Sequence, residues 1–369
     1  MATAERPTLA LLGTGIFAKD AYLKFLGVLS GKFSLLYVWS RSEAGAVQFT
    51  GLVKDFAPGA KAVWGDQGLD TVFDSPVHAV AIVLPAQIQP ALVARALQAR
   101  KHVIQEKPVG VNAAHVLETL KVYKDLAAKL GPTTPIWAVA ENYRFEPALL
   151  EAAQLVQQAG DMMAVQMTIE TPMAKTNGYF PRPDKWRGDP AFTGTFFTDG
   201  AVHFVAGLRL ISGQEVTSVS ALASNVDKDF PWPDTLCGVA KLYNGAPCSI
   251  LISYGARARN IRWRVIASNG TVEVERGSLD GKHGYTTRLF TPDGVKTEKF
   301  HPFSGVQDEL DAFIADVQTA ITKGSVSQHP RGSAVEGLKD LAVVEAALKS
   351  SINNGTWQKV DSIDQILYC

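Results

Sequence analysis

Thr8-Leu9-Ala10-Leu11-Leu12-Gly13-Thr14-Gly15-Ile16-Phe17-Ala18 is the stretch on which the reading of this chain turns. The apolar run 8–12, ended by glycine, has the pattern of a buried parallel strand. Ala21, Phe25, Leu26 and Leu29 follow at helical spacing. Between strand and helix stands G-x-G-x-x-A. Gly13 permits the tight turn, Gly15 lets backbone approach a pyrophosphate, and Ala18 allows close packing of helix on sheet. The amides at the helix start then hold phosphates, with Thr14, Ile16 and Phe17 in the same loop.

Working outward, Ser34–Trp39 reads as the second strand and runs into Ser40-Arg41-Ser42. A site for NAD places Asp or Glu at this strand end to bind the ribose hydroxyls. Here the first ionisable residue is Arg41, whose guanidinium suits adenine stacking and a 2′-phosphate. The expected cofactor is therefore NADP, with NAD kept open through Glu43. Ala79–Leu84 is the clearest buried strand and is stopped by Pro85-Ala86-Gln87. His102-Val103-Ile104 is the next strand and delivers Gln105-Glu106-Lys107-Pro108. Pro108 biases Lys107 towards an extended conformation. Lys107 then stands at a carboxyl edge, where open parallel sheets bind ligands. Strands alternate with helices as far as Ile136–Ala140, which predicts a doubly wound parallel sheet with these loops on one edge.

Beyond a helix at Pro147–Gln158 the pattern changes. Strand-like runs at 163–170, 216–224, 236–243, 249–254, 262–267, 271–275 and 286–291 are separated by turn signals such as Asn244-Gly245 and Pro292-Asp293-Gly294. They predict a mostly antiparallel sheet in a second α/β domain. The boundary falls near Ala140, giving domains 1–140 and 141–369. Helices close the chain at about 306–322 and 332–350. Leu338, Leu341, Val344 and Leu348 put an apolar stripe on the last one, which is expected to pack back on the first domain.

The 369 residues are 46% hydrophobic, with Lys+Arg and Asp+Glu balanced at 36 each. That balance gives no electrostatic case for nucleic acid or an anionic membrane. Cys237, Cys248 and Cys369 form no Cys-x-x-Cys pair, so neither a zinc site nor a disulfide framework is indicated. No signal region precedes Pro7, and no apolar run spans a bilayer. A cytoplasmic, reducing location is expected.

A second informative stretch is Phe197-Thr198-Asp199-Gly200-Ala201-Val202-His203. Asp199 and His203 are four apart on a predicted helix, so carboxylate and imidazole share a face and can address one ligand. They can equally form a structural pair, or His203 can be a satisfied core histidine. With no third ligand, a metal site is not indicated. In the preceding loop, Trp186-Arg187 can wall a nicotinamide or bind an anion, or a buried tryptophan can simply anchor the loop.

These residues together resemble the glucose–fructose oxidoreductase/inositol dehydrogenase (Gfo/Idh/MocA) family. The resemblance rests on the Gly-Thr-Gly-Ile-Phe-Ala loop, Leu84-Pro85, Glu106-Lys107-Pro108, Glu141-Asn142-Tyr143-Arg144-Phe145 and Asp199-x3-His203, in order along the whole chain. Within the family, the chain is similar to a fungal and plant NADP-dependent branch. The resemblance implies a Rossmann domain followed by an α/β domain whose open sheet carries the substrate and often a dimer interface. Lys107 would be the catalytic lysine, Glu106 would contact the nicotinamide ribose, and Asp199 and His203 would orient substrate and relay the proton. It adds Leu84, Pro85 and Gln87 to the cofactor contacts, with Trp186 and Arg187, and Asn142 and Tyr143 to the substrate contacts. Two positions depart from the family pattern: glycine stands at Gly200 with Ala201 after it, and Gln89 stands where a histidine is common.

The function so implied is hydride transfer between NADP(H) and the hydroxyl or carbonyl carbon of a small polar substrate such as a sugar, polyol or aldehyde. Lys107 is the first candidate for moving the proton and His203 the second. For Lys107 to do so near neutrality its proton affinity must fall. Two other classes stay open: NAD-dependent glycoside cleavage on the same fold, and a non-catalytic NADP(H)-binding sensor. A homodimer or higher homo-oligomer is expected through the second domain's sheet.

Overall fold

In the computed structural model, residues 6–182, 185–189, 192 and 194–361 are described. Cys369 lies outside them. The chain divides into two compact units, 6–141 with 306–337, and 142–305 with 338–361.

In the first unit the strands are β1 (Thr8–Leu12), β2 (Ser34–Ser40), β3 (Lys61–Trp64), β4 (Ala79–Ile82), β5 (His102–Glu106) and β6 (Trp137–Ala140). Between them run α1 (Leu23–Leu29), α2 (Glu43–Leu52), α3 (Gly65–Asp74), α4 (Gln89–Gln98) and α5 (Ala113–Leu130). The sheet order is β3-β2-β1-β4-β5-β6, and every pairing is parallel. Order reverses between β1 and β4, so the loops after β1, β2, β4 and β5 share the edge where such sheets bind ligands. The doubly wound sheet is as expected from the alternation.

Side chains alternate across the strands. Leu9, Leu11, Ala81, Ile104 and Ala138 face one core with Leu26, Phe49 and Val53. That core is completed by Leu310, Phe313, Ile314 and Val317.

The second unit holds α6 (Pro147–Gln158), β7 (Met162–Glu170), α7 (Thr195–Ser212), β8 (Val216–Ser224), β9 (Thr235–Leu242), β10 (Pro247–Ser253), β11 (Asn260–Ala267), β12 (Gly270–Leu279), β13 (Lys282–Thr291) and β14 (Gly294–Pro302). The chain ends with α8 (Gly305–Lys323), α9 (Ala334–Ile352) and β15 (Gln358–Lys359). The nine-stranded sheet runs β14-β13-β12-β11-β7-β10-β9-β8-β15 and is antiparallel except between β7 and β10.

The structure corrects the placement of the last helix. The helix that completes the first unit's core is α8, the source of Leu310–Val317, tied further by Lys32 to Asp311 at 2.6 Å. From Leu338 onward α9 belongs to the second unit. There Asp340 accepts hydrogen bonds from Arg144 and Arg209, and the Ser350 hydroxyl receives the Ala221 amide at 2.9 Å. An apolar stripe shows that a face is buried but not against what, and both closing helices carry one.

At the opposite edge of the parallel sheet from the loops, His102 Nδ1 accepts from the Ile136 amide at 2.9 Å. Burial and the neighbouring His78 push the His102 pKa down to about 4. The folded state therefore binds its proton less well than the unfolded chain. The associated stability is complete above about pH 6.5 and falls on the order of 3 kcal/mol as pH drops through 4. His102→Asn keeps an acceptor there, so its urea midpoint should change less than the wild type's between pH 6.5 and 4.5. Parallel changes in both proteins would refute this.

Candidate active site

Gly13 has φ +120°, and a Cβ there would lie 2.2 Å from the Val83 carbonyl oxygen, so only glycine fits between the ends of β1 and β4. Its amide donates to the Trp39 carbonyl at 2.9 Å, which ties the loop to β2. A Cβ on Gly15 would meet nothing within 4 Å. The glycine is not needed there for internal packing, and its open backbone face suits close approach of a pyrophosphate. Ala18 is fully buried. The helix that follows starts with a π-helical turn at Ala18–Tyr22, an irregularity common at functional sites.

The hydroxyls of Thr14 and Ser40 are 3.0 Å apart and join the loops after β1 and β2. A Cβ on Gly45 would lie 2.7 Å from the Ser40 oxygen, so this glycine leaves room for the pair. Ser42 caps α2 by accepting from the Gly45 amide. Arg41, between them, is exposed and makes no hydrogen bond or ion pair with another described residue. Ile16 is exposed on the glycine loop. Leu84 closes on it from the loop after β4, 3.2 Å from the position a Gly13 Cβ would take, with Pro85 and Gln87 following. These residues fit a dinucleotide.

Glu106 ends β5 and is buried, and its Oε1 accepts from Tyr22 Oη at 2.9 Å. The phenol's pKa is raised well above its usual value by burial, then by Glu106 and Glu309. Lys107 is half-buried and is followed by buried Pro108 and Val109, with a cis peptide between Lys107 and Pro108. Gln89, the departure from histidine, is fully buried and accepts from Gln105 at 3.2 Å.

In the second unit, Asp199 lies on α7, buried, and pairs with Arg187 Nε at 2.8 Å. The guanidinium lies 4.2 Å from the Trp186 ring centre and 5.3 Å from that of Tyr179. Trp186 in turn stacks on Phe192. The structure thus joins two expectations that the sequence kept apart, because Arg187 serves Asp199. His203, one turn on, stacks on Tyr143 at 4.8 Å between ring centres. Tyr143 follows Asn142 in a short 3₁₀ turn.

The move of glycine to position 200 has a packing cause. A Cβ there would sit 2.1 Å from Tyr254 Oη, whereas Ala201 is fully buried and tolerated. Tyr254 has its pKa raised by burial, then by Asp199 and Tyr143, which places it among the groups around the carboxylate. Tyr22 and Tyr254 were missed from the sequence. Each is a single tyrosine whose partner lies far along the chain, so no spacing marks it.

Residues 8–133 match the oxidoreductase family with NAD-binding Rossmann fold, and residues 149–273 match the GFO/IDH/MocA C-terminal domain. The chain belongs to the Gfo/Idh/MocA family. It is an NAD(P)-dependent dehydrogenase or reductase acting on CH–OH or C=O groups.

Dehydrogenase FPY6 from Fusarium mangiferae is 30% identical over 95% of this chain and 98% of its own. Inositol 2-dehydrogenase from Rhizobium meliloti is 26% identical over 87% and 94%. An oxidoreductase from Thermotoga maritima superposes with a TM-score of 0.78 at 27% identity, over 96% of this chain and 99% of that one. Levoglucosan dehydrogenase in complex with NADH shares the fold, with a TM-score of 0.75 at 18% identity over 97% and 100%. No helix among the described residues is long and apolar enough to cross a membrane.

Proposed function

We propose that this family member is an NADP(H)-dependent oxidoreductase that interconverts a hydroxyl and a carbonyl on a sugar, polyol or aldehyde. The observation that carries the reading is the parallel order β1-β4-β5, which sets Lys107 on the same sheet edge as the Gly13–Gly15 loop. Relatives named as an inositol 2-dehydrogenase and a D-xylose 1-dehydrogenase (NADP(+)) support the substrate class.

A bound nicotinamide supplies the hydride acceptor or donor. The protein's task is the proton. Lys107 Nζ gives it to the carbonyl oxygen in reduction and takes it from the hydroxyl in oxidation. Asp199, fixed by Arg187, and His203, fixed on Tyr143, orient the substrate hydroxyls, with His203 the second candidate for the proton. Asn142 and Tyr143 are the further substrate contacts, and Glu106 the ribose contact. A panel of D-xylose, myo-inositol and small aldehydes with NADP(H) tests the reading. Tight NADPH binding with no turnover on any hydroxyl or carbonyl compound would sink it in favour of a sensor.

NADP preference rests on Arg41, exposed beside the Ser40 and Thr14 hydroxyls. A charge-assisted bond to a phosphate contributes about 1.5–3 kcal/mol, so Arg41→Ala should weaken NADPH binding about tenfold or more. NADH binding should stay as it was. Unchanged NADPH affinity in fluorescence titration would defeat the cofactor assignment.

Self-association is proposed through the exposed face of the nine-stranded sheet. Strand register sets Ser220 beside Val239 and Leu222 beside Cys237 on that face, and Leu222 and Val239 are exposed. Light scattering on the purified chain checks this.

A further inference from the structure

We propose that Gln105, anchored by Trp137, is a positioning residue for Lys107. The proposal rests on the reading of Lys107 as the proton-transfer group, but it makes a separate claim about what holds that lysine.

Gln105 lies on the same side of β5 as Val103, and β6 brings Trp137 beside Val103 and Val139 beside Gln105. Val103, Trp137 and Val139 are buried and Gln105 is fully buried among them. Apolar packing alone would place a valine or leucine at that position. A buried carboxamide is tolerated only if its polar atoms are bonded.

Both ends of this carboxamide are bonded. Trp137 Nε1 donates to Gln105 Oε1 at 2.8 Å. Gln105 Nε2 donates to the Val109 carbonyl at 3.1 Å and to Gln89 Oε1 at 3.2 Å, with the Glu106 carbonyl at 3.5 Å. An indole N–H can only donate and a peptide carbonyl can only accept, so the carboxamide sits one way round.

The consequence is local. The side chain at the last but one position of β5 grips the carbonyl four residues on, and so closes the turn that contains Lys107 and Pro108. Glu106, on the near side of the lysine, is held separately by Tyr22. A hydrocarbon at position 105 would fill the core and leave the Val109 carbonyl ungripped. What the amide adds is the fixed course of backbone through Lys107.

The test uses Gln105→Met, which keeps length and burial and removes both donors. Acetylation of Lys107 by acetic anhydride, followed by mass spectrometry across pH with exposed Lys54 as internal reference, reads the lysine's setting without needing substrate. The Lys107 profile should shift in the variant while Lys54 keeps its own. Turnover on the active member of the substrate panel should fall about tenfold to a hundredfold, the effect of a small misplacement of a reacting group, with the KM for NADPH unchanged.

In a Lys107→Met background the same change should cost nothing further. An unshifted Lys107 profile, or full turnover with a shifted one, overturns the proposal. Retained turnover in Lys107→Met alone overturns the reading of Lys107, while the labelling arm still decides whether Gln105 holds it. If Gln105→Met fails to fold, Trp137→Phe removes the indole donor, with part of the ring, and leaves Gln105 in place. An unshifted Lys107 profile in that variant overturns the proposal equally.

Discussion

Replacing Lys107 with methionine is expected to leave NADPH binding intact and to abolish most turnover. Methionine matches the lysine stem in length and apolar character, so the half-buried position keeps its packing and loses only the ammonium. The glycine loop, the Thr14–Ser40 pair and Arg41 are untouched, so the proposed nucleotide contacts should persist. What goes is the group proposed to move the proton, and removing a positioned acid or base costs about a hundredfold to ten-thousandfold. Fluorescence titration with NADPH and steady-state rates on the substrate panel separate the two effects. Turnover near the wild-type rate would remove Lys107 from the mechanism and leave His203 as the group to test.

The largest effect on stability is expected at Asp340. This carboxylate is almost fully buried and accepts from Arg144 and from Arg209, the latter at 2.7 Å. Arg144 belongs to the short turn that carries Tyr143, and Arg209 to the last turn of α7, the helix of Asp199 and His203. Asp340→Leu would leave guanidinium groups in the interior with their shared counter-charge gone. Breaking a buried pair in this way costs about 3–5 kcal/mol.

Glu215 makes a useful contrast. It also binds Arg209, at 2.8 Å, with Lys339 at 3.0 Å, but it is half exposed. Glu215→Gln should cost about 1 kcal/mol or less, because solvent screens the pair. Urea midpoints for the two variants check the ranking. An Asp340→Leu loss no larger than that of Glu215→Gln would show that the carboxylate does not hold the second unit's core together.

The strands that the sequence missed show what pattern reading depends on. Gly294–Pro302 follows the Pro292-Asp293-Gly294 turn signal, yet Gly-Val-Lys-Thr-Glu-Lys-Phe-His-Pro has no apolar alternation. It is an edge strand, and most of its residues are exposed or half-buried. Charged side chains on such an edge guard against pairing with other chains and erase the period-two signal. Gln358–Lys359 is too short to carry any signal.

Residues close in sequence were readable because chain geometry alone relates them. The glycine loop between β1 and its helix and the shared helical face of Asp199 and His203 both follow from spacings of a few residues. The parallel sheet also followed, since alternating strands and helices allow few topologies. Tertiary structure alone decided the partnerships: Tyr22 with Glu106 across 84 residues, Gln105 with Trp137 across 32 and Asp340 with Arg144 across 196. It also decided that Arg187 serves Asp199, and that Tyr254 is why position 200 is glycine. The physical reason is the same in each case. A buried polar group must find a partner wherever folding brings one within about 3 Å, and a spacing along the chain does not encode that distance.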